Sequence, residues 1–181
     1  RFRNVTGVQT CALPIFFTLS MDSAPPVTGW TLAPIARRIE PVSTAGATAV
    51  NIDFTLTQHP DGSFEYGINN VAFAKGHPIT AMPGETQVWT ITNKTKWSHP
   101  FHLHGFFFQV LDAKGNHVEP LEWKDTVNVP LEQTVKVVVK YDDRPGSWMF
   151  HCHILDHADG GLMGMVDLGV PHVEHATHGG H

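Results

Sequence analysis

Six of the thirteen histidines and one of the two cysteines lie in two short blocks. Residues 99–105 read His-Pro-Phe-His-Leu-His-Gly, and residues 151–157 read His-Cys-His-Ile-Leu-Asp-His. Imidazole nitrogens and thiolate sulfur are metal ligands. A single histidine is usually neither a ligand nor a catalyst, but six at these spacings around one cysteine indicate a metal-binding function.

Each block contains a His-x-His step within a strand-like run. Side chains two residues apart on a strand point to the same side, and the residue between them points to the other. This alternation predicts two ligand sets, on opposite faces of the strands. The set with a thiol is Cys152, His99 and His157. The set with four imidazoles is His102, His104, His151 and His153.

The donor types favour copper over zinc. One thiolate and two imidazoles, with a weak or absent axial group, are the ligands of a blue-copper electron-transfer site. Structural zinc usually takes four ligands and commonly several cysteines. A catalytic zinc site with one cysteine would leave the second face of histidines without a purpose.

The two blocks resemble the C-terminal copper motifs of the multicopper oxidases, the family of laccases and bacterial copper oxidases. The run Glu-Trp-Lys-Asp-Thr-Val-Asn-Val-Pro at residues 122–130 and the Trp-Met-Phe lead-in at residues 148–150 resemble the same domain. The similarity covers roughly residues 45–170. It implies one-electron oxidation of a substrate at a type 1 copper, coupled to reduction of oxygen to water at a trinuclear cluster.

The resemblance also implies a role for each residue of the two blocks. The type 1 ligands, which form the redox-active set, would be His99, Cys152 and His157. A type 2 ligand would be His102, and the type 3 ligands would be His104, His151 and His153. Electrons entering at the Cys152 sulfur would then have a short covalent route to the flanking histidines.

The axial position of the type 1 site falls on Leu162, ten residues after Cys152. An aliphatic side chain cannot donate to copper, so a higher potential is expected than with methionine at this position. Met163 is the adjacent alternative, but alternation along a strand would turn it to the other side.

Half of the trinuclear ligands expected from the resemblance are missing. The family takes four of its eight histidines from two His-x-His motifs in an N-terminal domain. Before His99 this chain has only the isolated His59 and His77. We therefore expect a complete type 1 set and half-complete type 2 and type 3 sets. The rest of an oxidase chain would be needed for oxygen reduction.

Length and charge limit the other functions. The 181 residues suffice for one domain with a substantial core. The formal net charge of −5 argues against nucleic-acid or anionic-membrane partners. No apolar run reaches eighteen residues, so no membrane span is expected.

Four segments follow from composition. Residues 1–15, including Cys11, resemble translated sequencing-adaptor sequence and are predicted to be non-native, with a secretory signal as the competing interpretation. Residues 16–48 are rich in Pro, Ala, Ser and Thr and indicate a linker or the end of a preceding domain. Residues 49–170 would be the C-terminal cupredoxin domain. The start at Arg1 rather than Met predicts a fragment, a processed product or a misread frame. Residues 171–181 carry His172, His175, His178 and His181 and are predicted to be a disordered tail.

Short strands separated by turns predict an all-β sandwich. Strand patterns occur at 50–56, 64–66, 79–83, 87–92, 101–111, 134–141 and 148–152, and a short helix is expected near residues 155–159. Trp97 and Phe106 to Phe108 are predicted to be core residues. The resemblance narrows the class to the Greek-key cupredoxin fold, with an irregular N-terminal segment and a flexible C-terminal tail.

Two function classes stay open. One is a piece of a copper oxidase that uses oxygen and an unidentified reducing substrate, in the periplasm or secreted. The other is a non-enzymatic cupredoxin, an electron carrier or copper-binding module. The four trinuclear-type histidines favour the oxidase, because an electron carrier has no use for them. A copper nitrite reductase is disfavoured, since its cysteine is not flanked by histidine on both sides.

Overall fold

The computed structural model describes residues 38–170, together with Gly29 and Thr31. The chain divides into two units, Arg1–Arg37 and Arg38–His181. Every strand and helix among the described residues belongs to the second unit. The predictions for residues 1–15 with Cys11, and for the tail at residues 171–181, lie outside the described part of the chain.

Within residues 38–170 the regular structure is almost entirely β. In chain order the strands are β1 (Thr48–Gln58), β2 (Phe64–Ile68), β3 (Ile79–Ala81), β4 (Thr86–Asn93), β5 (His99–Leu103), β6 (Phe108–Leu111), β7 (Thr126–Val129), β8 (Thr134–Lys140), β9 (Gly146–Cys152) and β10 (Met163–Leu168). One α-helix, α1 (Leu155–Asp159), joins β9 to β10, and a short 3₁₀ helix spans Phe73–Lys75. The predicted all-β class and the predicted short helix are confirmed. None of the helices in this part of the chain is long and apolar enough to cross a membrane.

The strands form two five-stranded sheets. The first has the order β2-β1-β4-β8-β6 and the second the order β3-β10-β9-β5-β7. Both sheets are mixed, because β1 pairs with β4 and β3 pairs with β10 in parallel while the other pairs are antiparallel. Most strands that pair with each other are distant in sequence. The two histidine blocks are therefore brought together by the strand order within the second sheet and not by a hairpin.

The core lies between the sheets and is rich in aromatic rings. Strand β4 alternates buried and half-buried residues along its whole length, as a strand with one core face must. Its Trp89 is fully buried and contacts Phe101 of β5 and Phe150 of β9, with ring centroids 5.8 and 5.1 Å apart. This packing fixes β5 and β9, the strands that carry the ligand blocks, against the first sheet.

One predicted strand is wrong in its extent. The apolar run at residues 101–111 is divided between β5 in the second sheet and β6 in the first. The break includes Gly105, whose φ of +77° is unsuited to an extended strand. Apolar composition continues through the break, so the sequence pattern alone did not reveal the change of sheet. Strand β7 lies outside the predicted strands.

The aromatic predictions divide in the same region. Phe106 and Phe108 are core residues, with 4% and 0% exposure. Trp97 and Phe107 are 51% and 60% exposed, so their prediction as core residues is wrong. Both lie in connections beside β5, where the alternation of a strand does not apply.

Part of the segment predicted to be a linker or the end of a preceding domain packs on the sandwich. Residues 38–47 form no strand, yet Val42 is buried with Leu111 and Val138. The Val42 N–H donates to Gln109 Oε1 at 2.8 Å. The described end of this segment is therefore attached to the first sheet.

Candidate metal centres

Adjacent antiparallel strands β5 and β9 bring the two histidine blocks together. Phe101 is paired with Cys152, and His102 with His151. Burial alternates along β5 and over the last three residues of β9: His99, Phe101 and Cys152 are buried, whereas His102 and His151 are half-buried. Paired residues share a face of the sheet. The thiol and the flanking imidazoles therefore lie on opposite faces of the same two strands.

The inner face holds a group that we call the buried cluster: His99, Cys152 and His157. The Cys152 Sγ lies 3.5 Å from His99 Nδ1 and 3.7 Å from His157 Nδ1. The two Nδ1 atoms are 3.0 Å apart. Helix α1 supplies His157, whose ring stacks on Tyr66 with centroids 4.7 Å apart. Three donors thus surround a common point.

Burial sets the protonation of this cluster. Burial, with a smaller contribution from the charge of His157, lowers the pKa of His99 to about 4. Burial also lowers the pKa of His157. It raises the pKa of the Cys152 thiol, although the hydrogen bond from the Ile154 N–H to the sulfur lowers that pKa in part. The imidazoles are therefore neutral near pH 7 and keep a lone pair for a metal. The thiol must lose its proton when a metal binds.

The outer face holds a second group, the outer cluster: His102, His104 and His151. Their ligand atoms all lie within 4.8 Å of one another. The Nε2 atoms of His104 and His151 are 2.9 Å apart. Burial, followed by the charges of the neighbouring histidines, lowers the pKa of His104.

Hydrogen bonds select the ring nitrogen that faces this cluster. His102 Nδ1 donates to the Asp125 carbonyl at 3.0 Å and to Thr126 Oγ1 at 2.9 Å. His151 Nδ1 donates to the Cys152 carbonyl at 2.8 Å. A carbonyl oxygen can only accept, so Nδ1 carries the proton on both rings. Both histidines consequently present the lone pair of Nε2.

His153, a predicted ligand, lies beside the outer cluster. Its ring centroid is 5.3 Å from that of His102 and 5.6 Å from that of His151. It falls outside the set of ligand atoms within 4.8 Å of one another, and its side chain is exposed. Its backbone N–H donates to the Pro100 carbonyl at 2.8 Å, which holds β9 against β5 beyond Cys152.

Leu162 is fully buried, and its backbone is hydrogen-bonded to both Cys152 and His157. Its carbonyl accepts the Cys152 N–H at 3.0 Å, and its own N–H donates to the His157 carbonyl at 3.0 Å. Met163, the alternative axial residue, is paired with His151 in β10 and β9. Paired residues lie on the same face, so Met163 belongs to the outer side of the sheet.

The turn after His104 is held by close packing. A Cβ on Gly105 would lie 2.3 Å from the Trp148 ring, and the φ of +77° also favours glycine. Arg144 donates to the Gly105 carbonyl at 2.6 Å and lies over the Phe106 ring at 4.8 Å. This packing constrains the backbone directly after His104.

Sequence reasoning missed the residues that hold the ligand rings. Thr95 contacts His99, and Asp125 with Thr126 contacts His102. Thr95 lies four residues before His99, but a threonine at that spacing is not a motif that predicts a hydrogen bond to the histidine. Three further histidines lie outside both clusters: His59 is beside Glu65, His77 is exposed, and His117 contacts the Val42 carbonyl.

Comparison with known proteins gives a consistent result. The family model described as multicopper oxidase matches residues 44–170. A laccase of Bacillus subtilis is 32% identical over 117 residues, covering 52% of this chain and 23% of the relative. The multicopper oxidase mco of Staphylococcus aureus is 41% identical over 98 residues, covering 50% of this chain and 21% of the relative.

A solved structure, the multicopper oxidase McoA of Aquifex aeolicus, matches with a TM-score of 0.63 and 27% identity. The match covers 74% of this chain and 32% of that one. The chain thus spans between a fifth and a third of the length of these relatives. The cupredoxin-type sandwich expected from the sequence is confirmed by this likeness. The matched region includes both histidine blocks, and the chain belongs to the multicopper oxidase family.

Proposed function

We propose that this chain is the C-terminal copper domain of a multicopper oxidase, with a type 1 copper at the buried cluster and half of a trinuclear cluster at the outer cluster. The observation that carries the proposal is the position of Cys152. Its sulfur belongs to the buried cluster, while its carbonyl accepts a hydrogen bond from His151 of the outer cluster. One residue therefore joins two donor sets that lie on opposite faces of the sheet.

The buried donors fit copper. One thiol sulfur and two Nδ1 atoms converge, and Cys152 and His99 are at most 1% exposed. Copper held there would supply one-electron oxidation and reduction. Phe54 and Tyr66 pack edge-on against His99 and help to keep water from the cluster. The aliphatic Leu162 is proposed to occupy the axial position, where it would not donate.

The protein's part in electron transfer is a short covalent route. From Sγ the route follows the Cys152 side chain and backbone to His151 on one side and His153 on the other. These residues are adjacent in sequence and point away from the sulfur because the strand alternates. The partly exposed His157 would be the point of electron entry from a reducing substrate.

The outer cluster is an incomplete site. His102, His104 and His151 form a three-residue group, with His153 beside it. We propose that a further domain of the same oxidase supplies the remaining ligands, and that oxygen is reduced only when both halves meet. The substrate is proposed to be a reductant such as a phenol or a metal ion, and the location to be periplasmic or extracellular.

A non-enzymatic cupredoxin is the second candidate. Such a carrier would need only the buried cluster. The outer cluster argues against it, because His102 and His151 are both anchored so that Nε2 faces the other donors.

Reconstitution with Cu(II) tests the proposal. We expect an intense thiolate-to-copper absorption, a second class of bound copper without it, and no oxygen uptake by this chain alone. His104→Ala should remove the second class and leave the absorption in place. A colourless protein that prefers zinc would overturn the copper assignment. Upstream coding sequence without two His-x-His motifs would overturn the oxidase assignment.

A further inference from the structure

The second ring nitrogen of His99 has a buried partner. His99 Nε2 lies 2.6 Å from Thr95 Oγ1, on the side of the ring opposite the sulfur. His99 is 0% exposed and Thr95 is 3% exposed, so water does not compete for this contact. Either Thr95 Oγ1 or His99 Nε2 could donate this hydrogen bond. Which of them does so depends on where the hydroxyl proton of Thr95 points.

Asn93 determines where that proton goes. Its Nδ2 lies within 2.6 Å of the Trp97 carbonyl and within 3.1 Å of the carbonyls of Val129 and Pro130. These oxygens only accept, so they fix the amide with Nδ2 towards them. Asn93 Oδ1 must then face Thr95, and it accepts the Thr95 backbone N–H at 2.9 Å.

The direction of the hydroxyl follows from this orientation. Thr95 Oγ1 lies 2.9 Å from Asn93 Oδ1, which cannot donate. The single hydroxyl proton of Thr95 is directed to Asn93 Oδ1, with the Trp97 carbonyl as a second acceptor at 3.3 Å. Neither oxygen can donate, so Oγ1 is left as an acceptor towards His99. His99 must therefore carry its proton on Nε2, and its Nδ1 lone pair faces Cys152 Sγ at 3.5 Å.

We infer that Asn93 and Thr95 are positioning residues that fix His99 as the Nε2–H tautomer and so direct the Nδ1 lone pair at the metal position. The role in copper binding rests on the proposed function, but the tautomer does not. We call this chain of hydrogen bonds the relay. It runs from three main-chain carbonyls through the buried side chains of Asn93 and Thr95, so it forms without a metal. The buried cluster is thereby prepared for a metal that binds to an unprotonated Nδ1.

A competing arrangement shows why the relay matters. His157 Nδ1 lies 3.0 Å from His99 Nδ1, close enough to accept a hydrogen bond. Without an acceptor at Nε2, His99 gains a hydrogen bond by placing its proton on Nδ1 and donating it to His157 Nδ1. That tautomer blocks the metal position with a proton, which Thr95 prevents.

Thr95→Val removes the acceptor and nearly preserves volume, while Thr95→Ser keeps the hydroxyl. The measurement is the ¹⁵N chemical shift of the His99 ring in the metal-free full-length chain at neutral pH. We expect protonated Nε2 in the wild type and in T95S, and a shift towards protonated Nδ1 in T95V. Removing such a partner of a metal ligand typically lowers metal affinity about 10–100-fold, which we expect for Cu(II) in T95V but not in T95S.

Thr126→Val is the matched control. Thr126 contacts His102 Nδ1 as Thr95 contacts His99, but the Asp125 carbonyl remains as a second acceptor. The tautomer of His102 should stay unchanged in T126V.

Protonated Nδ1 in wild-type His99 would overturn the inference, as would a T95V protein with the wild-type tautomer. If T95V does not fold, the wild-type and T95S spectra still decide the matter. Failure of the chain to bind copper would contradict the proposed function and leave the tautomer result standing.

Discussion

The buried cluster and the outer cluster present their imidazole rings in opposite ways. In the buried cluster His99 and His157 face the sulfur with Nδ1, whereas His102 and His151 in the outer cluster present Nε2. The outer rings are anchored mainly by main-chain carbonyls, but His99 is anchored by the Thr95 side chain. A side-chain anchor can be lost by one substitution and a carbonyl cannot. The buried cluster should therefore be the more sensitive to changes among residues that bind no metal.

Cys152→Ser should separate the two clusters most clearly. Loss of the sulfur removes the thiolate, so the intense visible absorption of the copper-loaded protein should disappear entirely. The outer cluster keeps its three imidazoles and should still take up copper. Absorption and paramagnetic resonance spectra, with total copper content, measure both effects. Survival of the absorption in C152S would contradict the assignment of the buried cluster.

Gly105→Ala should affect the outer cluster through the backbone. The left-handed φ and the overlap with the Trp148 ring together should lower the free energy of unfolding by about 2–5 kcal/mol. Gly115→Ala is the matched control, with φ of +89° but open space around the new methyl group, and should cost about 1–2 kcal/mol. Urea titration measures both.

Because Gly105 follows His104, copper should be lost from the outer cluster before the absorption of the buried cluster changes. Equal losses of stability in G105A and G115A would show that the Trp148 contact does not constrain this turn.

Acid should destabilise the metal-free protein through the buried cluster. Burial lowers the pKa of His99 from about 6.5 to about 4, so between these values the unfolded chain binds a proton that the folded chain does not. The free energy of unfolding should fall as pH drops through this window, by about 3 kcal/mol at most from His99. Urea titrations at several pH values measure the slope.

His99→Gln should flatten that slope. His104→Gln is the comparison in the outer cluster: burial also lowers the pKa of His104, but its side chain is exposed and solvent reduces the effect. A slope that responds equally to both variants would remove the energetic distinction between the clusters.

Leu162→Met should produce the smallest change. If Leu162 occupies the axial position, a thioether there stabilises Cu(II) and lowers the reduction potential of the buried cluster by tens of millivolts. About 59 mV corresponds to a tenfold change in a one-electron equilibrium. Met163→Leu is the control on the outer face and should leave the potential unchanged. A potential that moves in M163L but not in L162M would exchange the two assignments.

The sequence predicted on which face most candidate ligands lie, because alternation is a local property of a strand. Cys152 and His151 must point to opposite sides wherever β9 lies, and the structure places them so. The ligand spacing also predicted the membership of the buried cluster. The sequence did not predict that 101–111 changes sheets, because Gly105 interrupts an apolar run without altering its composition.

The exposed Trp97 and Phe107 were predicted wrongly for a related reason. Apolar character indicates burial only where the backbone alternation is known, and both residues lie between strands. His153 shows the same limit for ligands: its side follows from alternation, while its distance from the other rings depends on the end of β9.

The amino-acid sequence by itself determined which donors exist, how they divide between two faces, and that the fold would be a β-sandwich. These properties depend on residue type and on a two-residue period. Only the tertiary structure decided which ring nitrogen is free on His99, His102 and His151, because that choice depends on the acceptors that the folded backbone brings to each ring. For His99 the acceptor is Thr95, held by Asn93, which is fixed in turn by the carbonyls of Val129 and Pro130. No pattern within the ligand blocks encodes such a contact, since it arises only when the sheets pack.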